Sequence, residues 1–263
     1  MASKKFKGKT CAYCSREGAS EVREHVIARE FVLERYRDNL PVVPACSACN
    51  TKKSALETYA MAVLPFGSSL PDGEEYIDRN MERRLAKHPK LRHELGTGAS
   101  REWVQQNGLS VPVMTMPLQS ERIDALIAMI VRGLFNFEFG FPLGRHWNAR
   151  PTNFLPSAEV ALMPKFIDAM GPGPEKRERV VGRDAVRYTV WRSRWLKYSS
   201  FWQLTLFGGL KVGGDEDFPG MVFDHWSVGT FRDKDAPMPL DDDERPDVAG
   251  ARPWMAGEGG RSA

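Results

Sequence analysis

Four cysteines make up the whole cysteine content of this chain, and they come as two Cys-x-x-Cys pairs, Cys11/Cys14 and Cys46/Cys49, separated by 31 residues. Two residues between cysteines let both thiolates face one tetrahedral ion, with Zn–S bonds of about 2.3 Å. Two such pairs supply four thiolates, which close the shell of a Zn²⁺ ion and make it structural rather than catalytic. The opening residues, MASKKFKGKT, are basic and are not followed by an apolar run, so they do not read as a secretory signal. Without export, paired cysteines point to metal rather than to disulfides, and a cytoplasmic location is expected. No thioredoxin-like βαβ pattern surrounds either pair, which argues against a redox dithiol.

A second group of chemically able residues lies between the pairs and just after them. Glu24 and His25 are adjacent, Asn39 follows, and Asn50 comes directly after Cys49. A carboxylate and an amide oxygen suit one hard divalent cation such as Mg²⁺, which keeps several waters. A neutral imidazole is well matched to taking a proton from water near pH 7.

These residues need elements to hold them. Residues 21–27 alternate as a short strand, with Val22, Glu24 and Val26 on one side and Arg23, His25 and Ile27 on the other. Adjacent Glu and His then diverge, which suits one side chain holding a metal while the other activates a water. Residues 28–38 read as helical or as a long loop, and residues 39–44 as an extended lead into Cys46. A helix is expected from Asn50, at the N-cap place, through about Val63, stopped by Pro65 and Gly67.

The order Cys-x-x-Cys, Glu-His-Val-Ile, Asn-Leu, Cys-x-x-Cys-Asn-x-x-Lys resembles the zinc-stapled members of the HNH endonuclease family. The match spans residues 9–60, under a quarter of the chain, and several positions agree in order and spacing. The resemblance implies a ββα-metal, treble-clef-like finger. It also implies DNA phosphodiester hydrolysis with one Mg²⁺ or Mn²⁺, leaving 5′-phosphate and 3′-hydroxyl ends. In that frame His25 is the general base, and Glu24 and Asn50 are the catalytic-metal ligands. Asn39 orients the histidine, and Lys53, with Lys52 and Arg23, meets DNA phosphates. Two positions depart from the family pattern: Glu24 stands where Asp is usual, and Ala28 where Pro is usual. The competing reading is a zinc-finger module that binds nucleic acid or protein without catalysis.

Beyond the finger the chain says less. It has 263 residues, 42% hydrophobic and 27% charged, ordinary for a globular protein able to bury a core. Net charge is only +3 but uneven: residues 1–60 carry +4 (11 basic, 7 acidic), residues 79–101 carry +5 (7 basic, 2 acidic), and residues 231–263 carry −3 (5 basic, 8 acidic). A basic front half suits a polyanion such as nucleic acid, double-stranded DNA being the partner that the resemblance implies, and no apolar stretch is long enough for a membrane span. The organisation expected is α+β: a finger over 1–66, a basic helical linker over 67–100, an α+β region over 101–230, and an acidic disordered tail over 231–263. Glu74 to Leu95 reads as helix broken at Pro89, with Arg79, Arg83, Arg84, Lys87, Lys90 and Arg92 as a candidate DNA-backbone face. Glu121 to Phe137 is the strongest apolar helix. Residues 142–157 read as loop and 158–170 as a further helix. From Val186 alternating runs suggest a small antiparallel sheet packed on the 121–137 helix. A homodimer is compatible with this sequence.

Overall fold

In a computed structural model, residues 5–106, 108–115, 118–152, 156–212, 221–223 and 225–235 are described. The expected acidic tail lies almost wholly outside them. The N-terminal unit is a short hairpin followed by a helix. β1 (Val22–His25) pairs antiparallel with β2 (Val42–Ala45), Glu24 opposite Val43 and His25 opposite Val42. α1 (Ser47–Val63) follows directly. The segment between the strands is neither one helix nor a free loop. It makes two 3-10 turns, Arg29–Phe31 and Glu34–Tyr36, because Phe31, Val32 and Leu33 between them must reach the core. Ala28, at φ −52° and ψ 133°, holds dihedrals that a proline could also hold.

The helical expectation for residues 74–95 resolves into two helices, α2 (Gly73–Lys87) and α3 (Pro89–Gly98). Pro89 takes the first helical position of α3, where its missing N–H costs nothing, and the residue before it is pushed out of the helical region. An antiparallel hairpin of β3 (Ser100–Gln106) and β4 (Leu109–Thr115) leads to α4 (Ser120–Phe139), which ends on Gly140 in the left-handed conformation at φ 80°. A five-stranded antiparallel sheet follows. Its order is β5 (Trp147–Thr152), β11 (Trp226–Arg232), β8 (Ser200–Leu206), β7 (Val186–Arg192), β6 (Glu175–Val181). α5 (Pro156–Ala169) comes after β5, and the short pair β9 (Leu210–Val212) and β10 (Met221–Phe223) is inserted before β11. The fold is mixed α+β with small antiparallel sheets, as expected. Residues 147–152 are a correction to the loop reading: they form an edge strand, which is where a sheet tolerates Pro151.

One hydrophobic core runs without interruption from Cys11 through α1 and α4 to Val228. α4 is the central post. Its inner face buries Ile123, Leu126, Ile127, Ile130, Val131, Leu134 and Phe135, and these large apolar side chains contribute about 1.5–3 kcal/mol each. Where α4 meets the hairpin the approach is so close that only glycine fits. A Cβ on Gly133 would lie 2.8 Å from Val26 Cγ1 and 3.2 Å from Tyr13 Cε1. Val26 is fully buried and β-branched, so it cannot swing aside. Gly133→Ala is expected to lower stability by about 1–3 kcal/mol despite the better helix propensity of alanine, measured as a shift in urea midpoint at unchanged slope.

Candidate functional site

The two cysteine pairs come together because each sits on a backbone turn. Cys11 to Arg16 is a tight loop in which Ser15 N–H donates to Cys11 O at 2.9 Å and Cys11 N–H to Arg16 O at 3.0 Å, with Ser15 in the left-handed region. The loop is stitched to the hairpin by Ala12 N–H on Pro44 O, 2.9 Å. Cys46 is the N-cap of α1 and Cys49 lies in its first turn. This corrects the expected N-cap at Asn50: the helix starts earlier, because the second Cys-x-x-Cys is itself the helix entry.

All four sulfurs lie within 4.8 Å of one another, and Cys14 Sγ and Cys46 Sγ are 3.9 Å apart. A tetrahedron of thiolates around an ion at about 2.3 Å needs sulfurs roughly 3.8 Å apart, so the cluster has the size a metal requires. None of the four is in a disulfide. Burial, then the neighbouring sulfurs, push the Cys49 thiol far up, and Cys14 shifts the same way with burial as its main cause. At Cys11 burial pushes up too, but backbone N–H groups of Cys14, Cys46 and Tyr13 outweigh it and the thiol is lowered. Four thiolates this close repel one another, and a bound cation is what would let all of them stay deprotonated. The geometry and the donor set fit a metal ion. The loop is also tied to the rest of the protein: Arg132 of α4, largely buried, donates to Tyr13 O, Leu143 O and Trp147 O and reaches Ser15 Oγ.

Because β1 ends at His25, Glu24 and His25, expected to diverge as strand neighbours, instead both line one cleft of about 420 Å³. It is also lined by Ala28, Arg29, Glu30, Ser54, Glu57, Thr58 and, from α2 and the bend after it, Arg83, Arg84, Lys87 and His88. Asn50 lines an adjoining cleft of about 760 Å³ with Thr51, Ser54, Tyr59, Lys90 and Arg122. Glu24 and Asn50, the two metal ligands that the resemblance implies, therefore line adjoining clefts. Among the described residues the cysteine cluster is the only group of three or more His, Cys, Asp or Glu side chains close enough to share an ion.

Lys53 is the largest correction. A phosphate-contacting lysine must reach solvent, but this side chain is 0% exposed. Its Nζ donates to Glu24 Oε1 at 2.9 Å, to His25 O at 2.8 Å, and to Glu57 one turn on. It is an internal cation placed between two carboxylates. Burial raises the Glu57 carboxyl above its usual range, with Lys53 pulling it back. Glu24 lines the cleft while one of its carboxylate oxygens accepts from Lys53. Lys52 and Arg23 are exposed, as a polyanion contact requires. Asn39 is exposed in the turn before β2 at φ 58°, a conformation asparagine tolerates better than most residues.

His25 has its Nδ1 buried without a hydrogen-bond partner, leaving Nε2 as the nitrogen able to meet a ligand. Burial lowers its pKa below the ordinary imidazole value, and Arg23 and Arg29 lower it further. The ring is neutral near pH 7, as a base must be. Two features escaped the sequence reading. Glu57 could have been found from its i,i+4 spacing to Lys53, whereas His88 had no signal, because its place beside the finger depends on how α2 folds back. No protein-family model, curated protein or solved structure matches the chain.

Proposed function

We propose that the chain is a metal-dependent endonuclease whose hairpin-and-helix unit is an HNH-type ββα finger, stapled by a structural Zn²⁺ on Cys11, Cys14, Cys46 and Cys49. The observation that carries this reading is the shared cleft: Glu24 and His25 open side by side onto a polar hollow edged with basic side chains, on the same unit as the four-sulfur cluster. His25 takes a proton from the water that attacks phosphorus. The basic rim receives the phosphodiester, and Arg29 and Lys87 offset its charge. A hard cation such as Mg²⁺ or Mn²⁺, held by Glu24 and Asn50, would supply charge neutralisation at the phosphate and the leaving oxygen. DNA is the substrate class, as the resemblance implies.

Plasmid nicking in Mg²⁺ tests this. His25→Ala is expected to lower the rate about 10²-fold or more with metal content and thermal midpoint unchanged. Because the base works deprotonated and its pKa is lowered by burial and then by Arg23 and Arg29, activity should rise with pH through a midpoint below the usual imidazole value of about 6.5 and then level off. Equal nicking by wild type and His25→Ala would rule out His25 as the base. The second reading is a metal-stapled binding module without catalysis. It is favoured by two facts: Lys53 engages Glu24 where a cation would sit, and His25 Nδ1 lacks the orienting partner a base uses. Its signature is DNA retention with no cleavage in any divalent metal.

A further inference from the structure

The bend between α2 and α3 brings cleft-lining groups that the finger does not itself provide. His88 joins the two helices at φ −125° and ψ 69°. Its N–H closes α2 on Arg84 O at 3.1 Å and Leu85 O at 3.3 Å, and its C=O opens α3 by accepting from Arg92 N–H at 3.0 Å. The bend is thus pinned from both sides and stands in one place. Lys87 and His88, with Ser54 and Thr58 of α1, border both clefts, so the two clefts join into one groove running from Glu24 and His25 to Asn50 and Arg122.

The acids along this groove are already answered. Lys53 takes Glu24 and Glu57, Arg84 takes Glu30, and Arg122 takes Glu94. Arg29, Lys87 and Lys90 make no ion pair among the described residues, and all three are exposed. The surplus charge is also spread out rather than converging on one point. Arg29 lines the first cleft alone, Lys87 borders both, and Lys90 lines the second, beyond the bend. A small anion would be met by converging donors, whereas a row of separated cations on a polar wall fits a chain of phosphates.

We propose that this groove is the track of one strand of a DNA duplex. Lys87 and Lys90 hold its phosphates to either side of His88, and His88 hydrogen-bonds the phosphate between them. The substrate class rests on the nuclease reading, but the clamp lies outside the finger and is read by binding alone.

The test uses the full chain with its metal and a labelled DNA duplex, without added Mg²⁺, across a salt series. Lys87→Ala/Lys90→Ala should weaken binding about tenfold or more at low salt and flatten the slope of log K against log salt by about two. His88→Ala should weaken it about three- to tenfold. Lys165→Ala, exposed on α5 and off both clefts, should change neither affinity nor slope. These are exposed positions, and unchanged thermal midpoints will show that each variant folds. Unaltered binding by the Lys87/Lys90 variant, or an equal loss in Lys165→Ala, overturns the groove, as does a wild type that binds no duplex. Loss of binding in the bend variants while wild type cleaves nothing upholds the groove and sinks the nuclease reading. Nicking by wild type with bend variants that bind and nick alike does the reverse.

Discussion

Cys46→Ala is expected to strip the chain of its metal and to lower its thermal midpoint by on the order of 10 °C. Cys46 is the one ligand that is also the N-cap of α1, and its own N–H donates to Cys11 Sγ at 3.4 Å. Removing it leaves three sulfurs, which cannot close a tetrahedral shell. The hairpin it supports has two strands of four residues, and an isolated pair of that size is marginal in water. Metal-binding free energy in such units is folding free energy. The damage should spread, because the first cysteine loop is the seat of Arg132. With Tyr13 and Ser15 released, Arg132 loses acceptors it reaches from the middle of α4, and a buried cation short of partners is costly. Metal analysis of the purified protein should give close to one zinc per chain for wild type and well under half for Cys46→Ala. A strong zinc chelator added to wild type should reproduce the lower midpoint. A variant with unchanged midpoint and metal content would show that the four sulfurs are only packed thiols.

What could be read from the residues follows from how local each feature is. Cys-x-x-Cys spacing is a property of a single turn, so the cluster needed only that two turns meet. The apolar period of α4 is likewise local, and the helix is found within two residues at each end. β6 and β3 escaped because their sequences, Glu-Lys-Arg-Glu-Arg-Val-Val and Ser-Arg-Glu-Trp-Val-Gln-Gln, offer no apolar face. Their strand state comes from neighbours: β6 is the edge beside β7, and Arg177 and Arg179 lie against Glu138 of α4, a carboxylate whose side chain is wholly buried. Charged residues can line a strand when a buried counter-ion awaits them, and no window of sequence shows the counter-ion. The same holds for Lys53. Following a Cys-Asn at the start of a helix, it looks like a surface cation. The helix turns that position inward, beneath β1, where Glu24 waits from a segment 29 residues earlier.

Lys53→Met should therefore behave as a core mutation. Removing the cation leaves two carboxylates, 16% and 15% exposed, facing each other without compensation. Breaking a buried ion pair from one side costs about 3–5 kcal/mol. A phosphate-contacting lysine on the surface would change stability by less than about 0.5 kcal/mol when replaced. The pH dependence gives the cause away. Glu57 is already raised by burial, with Lys53 the force that lowers it, so in Lys53→Met its carboxyl moves higher still. A carboxyl raised in the folded state binds more protons there than in the unfolded chain. Stability then falls as pH rises from the ordinary glutamate value, about 4.3, through the raised folded value. The deficit of Lys53→Met against wild type should accordingly shrink toward pH 4.5 and be largest near pH 8. Urea titrations at those two pH values measure it. Lys53→Met/Glu57→Gln, which removes the second charge together with the first, should recover a large part of the loss at pH 8 and flatten the pH dependence. A single variant with wild-type stability at pH 8 would return Lys53 to the surface and to the phosphate role its position in the sequence suggests.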